Sequence, residues 1–194
     1  AYGNGCMSRG SLFYFMGDFA SSEIWYLKAK TIREATVGKE HTDYAKILNN
    51  LAVLYKNMGR FEQAELIYLE TNAINEKITG KENNDYGWVL SNLANLYQKM
   101  GRFDQAEQLF LESLNIMERI WGRRHHEYAA SLSNLSLLYH DQWQLAKAEL
   151  LALEAKSIRE QTLGKEDPDY AESLNNLANL YADLGQYDKA ELYY

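Results

Sequence analysis

Tyr44, Tyr86, Tyr128 and Tyr170 recur at a fixed interval of 42 residues, and Asn50, Asn92, Asn134 and Asn176 keep the same step. So do the leucines beginning at Leu51, the tyrosines at Tyr55, the alanines at Ala64, the glutamates at Glu65 and the glycines at Gly38. A unit of this length is one supersecondary element that cannot bury its apolar face alone, so copies stack and share a continuous core. The expected product is an all-α solenoid, a fold that more often binds than catalyses. One period back from Gly59 lies Gly17, and residues 17–38 read as the second half of a unit. Before Gly17 the pattern fades: Arg9 takes the leucine position, and Gly3, Gly5 and Gly10 dilute helix propensity. The units are therefore a degenerate or frayed first copy over 1–38, full copies over 39–80, 81–122 and 123–164, and a copy over 165–194 that stops inside its second helix.

Each unit divides into two helices. From Asp43 to Met58 the apolar residues Tyr44, Ile47, Leu48, Leu51, Leu54 and Tyr55 fall at three- and four-residue steps, which defines one buried helical face, helix A. Gly59 suits a left-handed stop, Phe61 to Ile78 resumes the rhythm as helix B, and Gly80 closes it. Acids at Asp43, Asp85, Glu127 and Asp169 suit the positive end of the next helix dipole. In the last unit Asp167 caps and Pro168 takes the first helical position. A single proline in the chain leaves these helices uninterrupted.

Small residues set the closeness of each pair. Ala52, Ala94 and Ala178 on helix A face Ala64, Ala106, Ala148 and Ala190 on helix B, with Ser136 and Ser22 as mild departures. Trp143 is a stronger one, because it stands where the other units have Gly59, Gly101 and Gly185. Either that turn takes another shape, or the side chain bears a left-handed strain of about 1–2 kcal/mol; its functional reading is an aromatic for a partner, and its bland reading is local repacking.

The run from Tyr170 to Tyr181, with Asn175, Asn176, Leu177, Ala178 and Asn179 inside it and Gly185, Tyr187, Ala190 and Glu191 after it, resembles tetratricopeptide repeats (TPRs) of the kinesin-light-chain type. Residues 163–170 match that family's linker between units. The resemblance implies a right-handed α-solenoid of antiparallel helix pairs, in which a peptide or protein segment lies along a concave face lined by helix A. Similar arrays occur in eukaryotic motor adaptors and in bacterial proteins, and near-verbatim repetition resembles the bacterial kind. Some bacterial arrays precede a caspase-like CHAT protease domain, so a regulatory array of an enzyme whose catalytic domain lies outside these residues is the alternative.

If Leu51, Ala52 and Tyr55 point into the stack, the other face of helix A carries Lys46, Asn49, Asn50, Val53 and Asn57. Its counterparts supply Trp88, Asn92, Asn95 and Lys99, then Asn134, then Asn175, Asn176 and Asn179. An asparagine both donates and accepts, so a ladder of them suits the backbone of an extended peptide. Selectivity then falls to the varied positions: Lys46 and Lys99 for acids, Trp88 for an apolar anchor. The same amides also suit a purely architectural role, bridging adjacent helices.

No catalytic constellation, cofactor motif or metal spacing emerges. His125 and His126 lie between units, where His41, Asn83 and Asp167 are the counterparts of His125, which points to capping. Cys6 is the only cysteine and shares no motif with a histidine. A net charge of −7 disfavours nucleic acid, and the apolar runs are too short and interrupted to cross a membrane. A reducing, cytoplasmic setting and a monomer are expected. The chain lacks an initiator methionine and ends within helix B, which suggests a fragment with an unpaired apolar end at Leu192, Tyr193 and Tyr194 able to associate end to end.

Overall fold

The computed structural model describes residues 2–194, with Tyr2 and Asn4 described through their backbone alone. The described residues form ten helices and no strand: α1 (Tyr2–Phe15), α2 (Phe19–Val37), α3 (Thr42–Asn57), α4 (Phe61–Thr79), α5 (Asn84–Lys99), α6 (Phe103–Trp121), α7 (His126–Asp141), α8 (Leu145–Thr162), α9 (Pro168–Asp183) and α10 (Tyr187–Glu191). They are grouped in two compact units, one ending at Leu96 and the other running from Tyr97 to Tyr194. In the first, α1 pairs with α2 and α3 with α4, and α2 packs on α3; in the second, α7 pairs with α8 and packs on α6, and α8 packs on α9. The expected class, all-α with stacked helix pairs, is what each unit shows.

Boundaries follow local chemistry. The residue before each of α3, α5, α7 and α9 accepts the N–H two positions on: His41 Nδ1 from Asp43 at 3.1 Å, Asn83 Oδ1 from Asp85 at 2.8 Å, His125 Nδ1 from Glu127 at 3.2 Å and Asp167 Oδ1 from Asp169 at 2.9 Å. Histidines 41 and 125 thus serve as caps. Gly80 ends α4 at φ 76° and ψ 175°, a conformation closed to residues with a side chain.

The turn between paired helices keeps one shape in every copy. Gly59 N–H donates to the Lys56 carbonyl and Arg60 N–H to that of Tyr55; Trp143 and Gln144 donate in the same way to His140 and Tyr139, at 2.9 and 2.8 Å. Trp143 therefore adopts the glycine conformation, with φ 58°, and its side chain is 71% exposed. Of the two expected alternatives for this turn, the strained one is realised and a changed shape is not.

The first pair is complete although its sequence is degenerate. Gly10 occupies the position of Ala52, and a Cβ there would lie 2.5 Å from the Tyr26 ring, so the glycine is demanded by close approach. Beside it Ser22 Oγ donates to the Gly10 carbonyl at 2.9 Å, and in the other unit Ser136 Oγ donates to the Ala148 carbonyl at 2.7 Å. The two serines are one device on opposite helices: each satisfies its buried hydroxyl on the backbone it faces. Arg9, in place of leucine, lies 4.7 Å over the ring of Trp25.

Between pairs, the repeated tyrosine and glutamate find each other. Tyr55 donates to Glu23 at 2.9 Å, Tyr139 to Glu107 at 2.7 Å and Tyr181 to Glu149 at 2.7 Å. A cation covers each ring: Arg60 at 5.4 Å, Lys147 at 4.8 Å and Lys189 at 4.9 Å. Burial, aided by the carboxylate, pushes the Tyr55 and Tyr139 phenols up to about 12. At the C-terminal end Tyr193 stacks on Tyr181, with ring centroids 5.5 Å apart, and Tyr194 donates to Asn179. Leu192 and Tyr194 are exposed but Tyr193 is not, which corrects the expectation of three unpaired apolar residues.

Candidate functional site: an amide-lined groove

On α3 the positions left outside the core are those expected: Lys46 is exposed, and Asn49, Asn50 and Val53 are half-buried. Lys46, Asn49 and Asn50 border a cavity of about 270 Å³ in the first unit, whose other walls include Met7 of α1, Thr71 and Asn75 of α4, and Trp88 of α5. A smaller cavity of about 130 Å³ is lined by Ser11, Tyr14 and Phe15 of α1, Tyr26, Val53 and again Asn50. Asn50 therefore stands between two depressions. Its amide has no hydrogen-bond partner among the described residues.

The other amides divide by role. Asn92 donates to Asn49 at 3.0 Å, bridging α3 and α5, and Asn95 donates to the Ser91 carbonyl of its own helix at 3.0 Å. Trp88 is partly exposed at the cavity wall. In the second unit Lys99, Asn175 and Asn179 are exposed and Asn134 and Asn176 half-buried. Asn134 and Asn176 have no hydrogen-bond partner among the described residues, whereas Asn179 accepts from Tyr194. Near the C-terminal ends of the A helices, Gln98 donates to Asp141 at 2.7 Å, His140 lies 2.7 Å from Asp183, and Asn57 bonds Tyr14. These pairs and Asn49–Asn92 share one separation, 43 residues, which is one repeat plus one step along the helix.

Helix B supplies floor residues that the A-face reasoning did not identify. Thr71 and Asn75 are buried yet line the larger cavity. The signal was available: polar side chains recurring on an otherwise core-facing stripe, with Arg33 and Arg159 at the positions of Asn75. In the second unit Arg159 is buried and donates to the Asp169 carbonyl at 2.9 Å and Ser173 Oγ at 2.8 Å, tying α8 to α9. Its Nε has no partner among the described residues. Away from the groove, His125 stacks on Trp121 at 4.4 Å and lies 4.3 Å from His126, an arrangement of caps and rings. Among the described residues no group of three or more His, Cys, Asp or Glu converges on a metal position, and no helix is long and apolar enough to cross a membrane.

Helix pairs of 42 residues, closed by glycine turns and stapled through Tyr and Glu, match the Tetratricopeptide repeat family model over residues 6–77, 85–161 and 144–194. The chain belongs to the tetratricopeptide repeat family. Among solved structures it is similar to BtubC (BKLC) from P. vanneervenii, with 27% identity over 95% of this chain and 73% of that one and a TM-score of 0.79. The kinesin-light-chain-like repeats of Podosopora anserina match at 22% identity, TM-score 0.78, covering 98% of this chain and 90% of theirs. The Rap conjugation gene regulator of the plasmid pLS20, in complex with the Phr* peptide, matches at 17% identity and TM-score 0.81, over 97% of this chain and 50% of that protein. The last two likenesses concern the fold alone. No curated protein matches the sequence. The TPR fold of this chain supports a protein-interaction scaffold.

Proposed function

We propose that the array holds an extended peptide, or an extended segment of a protein, along the A-helix face, in a cytoplasmic setting and without catalysis. The observation that carries this reading is the Asn50 amide, without a hydrogen-bond partner among the described residues, between two cavities, with Lys46 and Trp88 beside the larger one. Asn50 offers the ligand backbone one donor and one acceptor, each such bond contributing about 0.5–1.5 kcal/mol. Trp88 receives an apolar side chain, and exposed Lys46 pairs with a nearby carboxylate. Asn134 and Asn176 repeat the Asn50 contact in the second unit, while Asn92 keeps the helices in register through Asn49. The peptide complex of the pLS20 Rap regulator supports the use of such a fold for peptide capture.

Panning a random-peptide library against the array tests the reading. Selected peptides should lose affinity on Asn50→Ala and Trp88→Ala, with the helical circular-dichroism signal unchanged, and should lose it also when their own backbone is N-methylated opposite Asn50. Peptides indifferent to all three changes would refute a groove site.

A further inference from the structure

We propose that the outward face of helix B is a second docking surface, and that it receives an amphipathic helix whose aliphatic seam is flanked by lysine or arginine. Along α4 the exposed residues Glu62, Leu66, Leu69 and Ala73 follow steps of four, three and four, the spacing of a helix–helix seam. The same positions hold exposed Ile24 and Leu27 on α2, and exposed Leu150 and Leu153 on α8. On α6 Gln108 breaks the pair and only Leu111 remains. Scattered exposed leucines are ordinary, but a pair renewed at one register in three of four helices is a built surface. Leu66 is 69% exposed and Leu150 67%, so neither contributes to the core that holds the repeats together.

Charge selects the occupant. Immediately after the second seam leucine come Glu70, Glu112 and Glu154, and immediately before the first come Glu65, Glu107 and Glu149. Glu107 and Glu149 already accept from Tyr139 and Tyr181, so the acids open to an occupant are Glu70, Glu112 and Glu154 after the second seam position, with Lys28 on α2 the exception. Flanking positions of a helix pair decide partner choice through opposite charges. A second copy of this face would set carboxylate against carboxylate in a chain of net charge −7. A basic-flanked helix meets apolar with apolar and acid with base, and the four-three step favours a helix over an extended strand.

The test uses three synthetic peptides: one with a leucine seam and lysine flanks, one with the same seam and glutamate flanks, and a scramble of the first. Calorimetric titration of the whole array should give binding to the first peptide alone. L66S, L69S, L150S and L153S together should weaken it at least about tenfold, with unchanged circular dichroism. Glu70→Lys, Glu112→Lys and Glu154→Lys together should transfer preference to the glutamate-flanked peptide, and Asn50→Ala with Trp88→Ala should leave the lysine-flanked one bound. Equal binding of the scramble, no binding, or loss through the Asn50 and Trp88 changes would overturn the assignment. So would sedimentation showing a dimer of the array that the serine variant dissolves, since the occupant would then be a second copy.

Discussion

Tyr55 and Lys46 lie on one helix, yet the position of Tyr55 holds tyrosine in each of the last four repeats while that of Lys46 holds Trp88, Ala130 and Glu172 in the other three of them. The first faces the stack: its ring is buried, its hydroxyl bonds the glutamate of the preceding helix B, and a cation covers it. The second lies at the groove wall, and its contacts change with the residue: Lys46 borders a cavity, whereas Glu172 lies 3.6 Å from Arg159 of the preceding helix B. Uniformity along the array thus marks where repeats hold each other, and variety marks where they are free to meet something else.

The sharpest way to break that contrast is to exchange stability effects between the two faces. Tyr139→Ala should cost about 3–5 kcal/mol in urea unfolding, because it empties a buried site and leaves Glu107 and Lys147 without their shared partner. Ala130→Lys, at the groove position of the same helix, should change stability by less than about 0.5 kcal/mol. Similar costs at both would show that the faces do not differ in kind.

Tyr139→Phe keeps the ring and isolates the hydroxyl, and should cost about 1.5 kcal/mol. It carries a pH signature as well. The folded phenols of Tyr55 and Tyr139 are pushed up to about 12, above their unfolded value near 10, so folding favours the neutral form. Their stabilisation is complete below pH 10 and is lost as pH rises from about 10 to 12. Midpoints measured across that window should fall steeply in the parent and less steeply in Tyr139→Phe; parallel curves would count against the Tyr–Glu staple.

Trp143→Gly probes a position where uniformity fails. Removing a left-handed tryptophan whose ring is largely in solvent should raise stability by about 1 kcal/mol, read as a higher melting temperature. No gain would mean that the ring has packing which compensates for its backbone.

Much of this was legible in the residues. The 42-residue period fixed the helix pairs, and the turn and cap residues at Gly59, Gly80 and Asp167 fixed their ends. The face holding Lys46, Asn50 and Trp88 followed from helical geometry, because burial of Leu51 and Tyr55 dictates what points elsewhere. What escaped depends on neighbours distant along the chain. Gly10 reads as a weakness of α1 until Tyr26 is seen against it. Thr71 and Asn75 read as ordinary helix B residues until α3 and α5 leave a cavity above them. The pairing of Asn92 with Asn49 rather than with Asn50 comes from an offset of one residue between adjacent A helices, which a strict 42-residue ruler conceals.

The smallest effects sharpen the contrast within the groove face itself. Asn92 bridges two helices, so Asn92→Ala should cost about 0.5–1.5 kcal/mol and broaden the spread of groove geometries. Asn134 stands at the same repeat position with no hydrogen-bond partner among the described residues, and Asn134→Ala should leave the melting temperature unchanged. The proposed function reverses the order for ligand: a selected peptide spanning the second unit should bind Asn134→Ala several-fold more weakly, since under that reading the amide serves the guest. If Asn134→Ala instead lowers stability as much as Asn92→Ala and leaves affinity intact, the ladder is architectural throughout, and selectivity rests on Lys46, Trp88 and their counterparts alone.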